Sequence, residues 1–228
     1  LETGQVQLNE TTDGPTAKRM RGNPNFQVIQ VLPWAVQVLK FNMAQGAGAD
    51  LNFRRAIAQA IDAEEILGVA YPDIYKVDQS WVYAGSVYHT NRRPIKQDLA
   101  AAKATLAKSG YKGEKLVFII DNIRPNVDAA TVFQQQVSQI GVNVELKVAD
   151  WPTTSGIGLK SDQGWNFWTH GFGIEPYEGP VSAMSHWVKG QGQRKADPTI
   201  DALFEKLNGE MNVDAQKKLF AEFEARMA

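Results

Sequence analysis

Two apolar runs with a helix-period segment between them restrict the fold of this chain more than any other feature. Leu116–Asp121 is a compact β run, Val127–Ile140 has helical spacing and stops at Gly141, and Val142, Val144, Leu146 and Val148 alternate along the next run. Strand, helix and strand within about 35 residues make a βαβ unit, whose strands are parallel neighbours or near-neighbours. The fold class is therefore α/β. Around this unit, Asp50 is placed to cap a helix carrying Phe53, Ile57, Ala60 and Ile61, and Asp62 with Glu65 has a capping-box pattern that restarts a second helix to Val69. Gln97–Lys108 reads as a helix, Asp197 and Pro198 open another through Leu207, and Val213–Met227 is amphipathic. Phe26–Met43 reads as strand, bend at Pro33 and strand; Trp165–Phe172 reads as a further strand; Tyr71–Arg93 reads as loop. Only a short helix fits the polar start, around Thr16–Arg21.

Composition narrows the function classes. With 43% hydrophobic residues the 228-residue chain can bury a core, and a net charge of −1 gives no global field to draw in nucleic acid or anionic lipid. The absence of Cys removes disulfides, thiolate metal sites and cysteine nucleophiles, and His89, His170 and His186 have no metal-ligand spacing. No Gly-x-Ser-x-Gly elbow is present. Gly46-Ala47-Gly48-Ala49-Asp50 lacks the third glycine of a dinucleotide fingerprint and reads as a link into a helix. No catalytic residue, metal or cofactor is expected. The start, Leu1-Glu2-Thr3-Gly4, has neither an initiator Met nor a signal-like segment, and is expected to be a processed or truncated end.

Two places can carry chemistry. Trp151, Trp165, Trp168 and Trp187 cluster in the sequence with His170, Phe172, Glu175 and Glu178. If Trp165–Phe172 is a strand, Trp168, His170 and Phe172 share one face, while Phe167 and Thr169 share the other. Such a face is either the wall of a ligand pocket or core. Glu175 and Glu178 form a glycosidase-like pair on paper, but two acids three apart in a Gly/Pro-rich turn are more often solvated or capping groups. The other place is the carboxyl end of the Leu116–Asp121 strand, where α/β units usually meet ligands. Arg124 and Asp128 sit there, as ligand anchors or as a helix-start pair.

The order of elements also resembles a known family. Leu51-Asn52-Phe53-Arg54-Arg55-Ala56-Ile57-Ala58-Gln59-Ala60-Ile61-Asp62 looks like the "VRqAiayAID" helix of extracellular solute-binding proteins of the dipeptide, oligopeptide and nickel-binding class, which feed ABC importers. Lys40-Phe41-Asn42 resembles the strand before it, Asp98–Tyr111 the "AkaLLaeAGY" helix, and Gln139–Leu146 the "kiGInVel" segment. Trp165–Glu178 aligns without gaps to "yDlallgWgaDypDP", and Asp197–Leu203 to "npevDaLl".

The resemblance implies one lobe of a two-lobed binding protein, with a mixed sheet around the βαβ unit. Residues 1–41 would be the lead-in from the first lobe and a hinge strand. Residues 42–228 would be the second lobe, ending before the return strand. It implies non-catalytic capture of a small molecule, most readily a peptide, between this lobe and a first lobe missing from the sequence. It further implies delivery to an ABC permease in the membrane, and a periplasmic or extracellular location. The implied ligand contacts are Trp34, Trp151, Trp168, His170 and Phe172 as walls, with Arg124, Asp128 and Glu175 as polar anchors. Three departures bear on the ligand: Phe172 stands at the usual Trp, Glu175 at the usual Asp, and Asp128 close to the helix start where dipeptide binders place a basic residue, with Arg124 as the expected substitute from the loop. The rival readings are a sensor lobe of a transcription regulator and, third, a glycoside hydrolase.

Overall fold

The computed structural model describes residues 1–11, 14–30, 35–72, 75–174, 177–188 and 196–227. A short helix α1 (Gly14–Arg21) leads to β1 (Ala35–Phe41), then α2 (Leu51–Ala60), α3 (Ala63–Ala70) and α4 (Leu99–Leu106). The βαβ unit follows as β2 (Leu116–Asp121), α5 (Arg124–Ser138) and β3 (Val144–Ala149). After it come α6 (Trp151–Gly158), β4 (Phe167–Gly173), α7 (Pro180–Ser185), α8 (Pro198–Gly209) and α9 (Val213–Met227). Among the described residues the sheet has four strands in the order β1-β4-β2-β3, with β2 parallel to β3 and β4, and β1 antiparallel to β4. The chain thus leaves β2 in one direction through α5 and crosses back through α6 to β4, so the loops after β2 and β4 diverge. Divergence of this kind opens a crevice at the carboxyl ends of the strands.

Sequence signals account for most of these elements. Asp50 accepts from the backbone N–H of Asn52 and Phe53, Asp98 from Ala101, and Asp197 from Thr199 and Ile200, so three helices start where their caps stand. At α3 the cap works differently from a capping box. Asp62 accepts from Glu64 and Glu65 N–H (2.9 and 3.2 Å), but its own N–H donates to Oε1 of Gln136 at 2.9 Å, and Glu65 accepts from Nε2 of Gln136 at 2.6 Å. A buried glutamine on α5 has taken the reciprocal half, which locks α3 to α5.

The expected first strand of Phe26–Met43 is corrected: residues 26–30 form no regular structure, Pro33 lies outside the described residues, and only Ala35–Phe41 is strand. Residues 26–30 have no ladder partner, and an apolar run without one gains nothing by staying extended. Two helices went unpredicted. α6 reads WPTTSGIG, a poor helix former, yet Asp150 caps it by accepting from Thr153 N–H at 2.9 Å, and Pro152 fits its first turn. α7 is six residues opened by Pro180.

The sheet is covered on both faces. On one, Phe53, Phe118, Phe133 and Phe167 pack under α2, α4 and α5, with Phe118–Phe133 and Phe133–Phe167 centroids both 5.3 Å apart and rings edge to face. On the other, Ile119, Trp165 and Trp168 lie beneath α6. A separate core joins α7, α8 and α9 through Met184, Trp187, Leu203, Leu207, Phe220 and Phe223.

Candidate functional site

The β4 register decides which predicted residues meet. Phe167 and Thr169 pair with Phe41 and Leu39 on the large-core side; Trp168 and Phe172 fall on the other side, opposite Lys40 and Val36. His170 is placed by the ladder opposite Val38, and its side chain lies outside the described part. Trp34 and Glu175 also lie outside the described residues.

Trp151 opens α6 just beyond the carboxyl end of β3 and is 42% exposed; Trp168 beneath it is 1% exposed. Their rings stack at 6.1 Å and 27°. Trp151 therefore presents an indole face that Trp168 backs. The stack depends on Gly158, whose hypothetical Cβ would stand 2.3 Å from Trp168 Cδ2, so α6 approaches the indole at a distance only glycine permits.

Lys40 is the residue that sequence reasoning missed. Its Nζ stands 4.6 Å from the Trp168 ring centroid, 4.7 Å from Phe172 and 5.6 Å from Trp187. Burial among these rings lowers its pKa to about 8. The signal was present: Lys40 is the lone charge in AVQVLKF and alternates onto the same face as Trp168. Phe172 continues the aromatic surface to Trp187 (5.2 Å), and Trp187 meets Trp81 at 4.6 Å.

At the end of β2 the structure revises the placement of Arg124. It occupies the first turn of α5 rather than the preceding loop, 85% exposed, with Nε 3.5 Å from Asp128. Pro125 explains the earlier start, since its fixed φ suits the first helical turn. Beneath the pair, Asp121 accepts from Asn126 Nδ2 at 2.6 Å, and Asn126 accepts from the Tyr71 hydroxyl at 3.2 Å. Burial, then the Asp121 charge, raises the Tyr71 pKa. This buried chain fixes the turn between β2 and α5, so Arg124 and Asp128 sit on a rigid support.

Glu178 accepts from Ser182 Oγ at 3.3 Å across the start of α7. Among the described residues no three His, Asp or Glu side chains are grouped to hold a metal ion. No described helix is long and apolar enough to cross a membrane.

The carboxyl ends of β2, β3 and β4 thus carry the Arg124–Asp128 pair, Trp151 and Phe172 respectively. The family described as bacterial extracellular solute-binding proteins, family 5 middle, matches residues 1–195. The chain belongs to that family. A curated relative of this family-5 chain is the probable peptide ABC transporter periplasmic-binding protein y4tO of Sinorhizobium fredii, 25% identical over 160 residues, which are 66% of this chain and 30% of the relative. Among solved structures, the ABC transporter substrate-binding protein CtaP of Listeria monocytogenes is 26% identical with a TM-score of 0.77, covering 86% of this chain and 42% of that one. The ABC transporter-associated periplasmic binding protein DppA of Helicobacter pylori, solved in complex with the peptide STSA, shares the fold at a TM-score of 0.88 and 19% identity, covering 100% of this chain and 46% of that one. The family-5 chain spans about half the length of these structures and under a third of the curated relative. The α/β lobe and the solute-binding family expected from the sequence are both borne out; no finding supports the regulatory or hydrolytic alternatives.

Proposed function

We propose that this chain is the second lobe of a two-lobed receptor that captures a peptide and presents it to an ABC permease, in the periplasm or outside the cell, without catalysis. Residues 1–41 serve as the lead-in from the first lobe, with β1 carrying the chain into this sheet, and residues 42–228 form the lobe. The observation that carries the reading is the family match over residues 1–195, together with an exposed indole at the crevice end of the sheet. Trp151 forms the apolar wall with Trp168 behind it, Phe172 extends that wall, and Arg124 and Asp128 offer one charge of each sign to peptide termini. Trp34, His170 and Glu175 complete the contact set from the neighbouring segments. Burial between two lobes supplies the affinity, and the closed form is what the permease reads.

The test is peptide binding to the longer parent chain, followed by intrinsic fluorescence and by native mass spectrometry after gentle buffer exchange. Trp151→Ala is expected to weaken binding at least tenfold while moving the melting temperature by less than ~3 °C, as for a half-exposed side chain. Undiminished binding in Trp151→Ala would remove the crevice face from the site.

A further inference from the structure

A cavity of about 330 Å³ lies on the large-core face of the sheet, between that face and the segment 77–94, and Arg124, Asp128, Trp151, Trp168 and Phe172 do not line it. Its floor is apolar, with Ile61, Ile66, Phe118 and Phe133, and Trp81 lines it from the covering segment. Three charged residues also line it, namely Asp78, Arg92 and Glu224. Asp78 is already committed: it accepts from His89 Nε2 at 2.7 Å and from the N–H groups of Gln79 and Ser80, with Lys76 Nζ at 3.6 Å. His89 accepts from Asn91 N–H on Nδ1 at 3.2 Å, which leaves Nε2 to donate to Asp78. Although burial pushes the Asp78 carboxyl up, the bonds from Ser80 and His89 outweigh it and hold the group below its ordinary range.

The other two lack a partner of opposite charge among the described residues. Glu224 is 1% exposed and accepts from Ser80 Oγ (2.9 Å), Trp81 N–H (2.7 Å) and Thr90 Oγ1, all neutral donors. Among the described residues no cation pairs with it, and none of the described carboxylates pairs with the Arg92 guanidinium. A buried carboxylate without a counter-charge is held at a cost that an ammonium group relieves. One compact molecule carrying both charges and an apolar body matches all three elements of the cavity. The volume is at the small end for ligand pockets, which range over ~300–1,000 Å³, and this suits a single residue rather than an extended peptide.

We infer that this cavity binds a free amino acid with an apolar side chain of leucine or phenylalanine size. Its ammonium faces Glu224, its carboxylate faces Arg92, and its side chain lies on Phe118 and Phe133. The site is separate from the crevice at the strand ends and does not depend on it.

Calorimetric titration of the chain with L-leucine and L-phenylalanine tests this, with N-acetyl-leucine and leucine methyl ester as probes that each lack one charge. Saturable binding of an amino acid is expected, weakened at least tenfold for both blocked probes and in Arg92→Gln. Phe133→Trp, or Ala129→Leu should the tryptophan variant misfold, fills the cavity and abolishes binding with the circular dichroism spectrum retained. Trp151→Ala leaves this binding unchanged, so its outcome is separable from that of the crevice. The inference is overturned by absent binding, by binding that survives the cavity-filling variant, or by blocked probes that bind as well as the amino acids.

Discussion

Replacing Gly158 by alanine tests the packing that sets the Trp151–Trp168 stack. The added Cβ would stand 2.3, 2.4 and 2.8 Å from Trp168 Cδ2, Cε3 and Cε2. Ordinary contact begins near 3.4 Å, so α6 or the indole must recede by about 1.1 Å (from 2.3 to 3.4 Å). The indole is held between Trp165, Ile119 and Lys40, and it is not the free end of a flexible side chain. Overpacking of this kind costs ~1–3 kcal/mol, of which alanine's better helix propensity returns at most about 1. A net loss near ~1.5 kcal/mol corresponds to ~3–6 °C in a domain of this size. Gly156 is the internal control. It lies on the same helix with nothing within 4 Å of its Cβ, so Gly156→Ala is expected to hold or raise stability by ~0.5–1 kcal/mol. Thermal unfolding followed by far-UV circular dichroism compares the two. If Gly158→Ala melts at or above Gly156→Ala, the close approach of α6 to Trp168 does not exist as described.

Lys40→Met removes a cation whose burial is unfavourable. The folded ammonium loses its proton near pH 8 and the unfolded one near 10.5, so the unfolded state binds more protons between those values, and wild-type stability rises with pH across that window. The variant should show no such rise and should melt higher than wild type at pH 7; a lower melting temperature at pH 7 would mean that the three ring contacts outweigh desolvation. Glu224→Ala strands the donors Ser80, Trp81 and Thr90, at ~2–4 kcal/mol, and limited proteolysis should then cut first within segment 77–94. Cleavage elsewhere, with that segment still protected, would refute the pinning.

Periodicity and capping chemistry made most of the framework readable. Asp50 and Asp197 each stand where a helix begins, and the alternation of Val144, Leu146 and Val148 became β3. The helix α6 was hidden because its residues have weak propensity; only the Asp150-Trp151-Pro152 start marks it, and tertiary packing on Trp168 supplies the rest. The exchange of partners at Asp62 was equally out of reach, since Gln136 lies 74 residues away in sequence. For the site, strand alternation put Trp168 and Phe172 on one face, and their register with Lys40 required knowing that β1 pairs with β4. Motif order carried the family; it said nothing of the cavity, whose walls come from eight separate segments that only the folded chain brings together.

The antiparallel pairing of β1 with β4 also governs when this molecule can fold. Gln37 meets Thr169 across 132 residues of sequence. At ~5–20 residues per second of synthesis, β1 waits some 7–26 s for its ladder partner to exist. Segment 77–94 waits longer still, because its anchor Glu224 lies 144 residues beyond Ser80. The βαβ unit can condense early on local contacts, while the first strand remains open until β4 is made and the covering segment until α9 is. During that interval the ladder edge of β1 is unsealed, so the window for its mispairing with another chain closes only when β4 emerges.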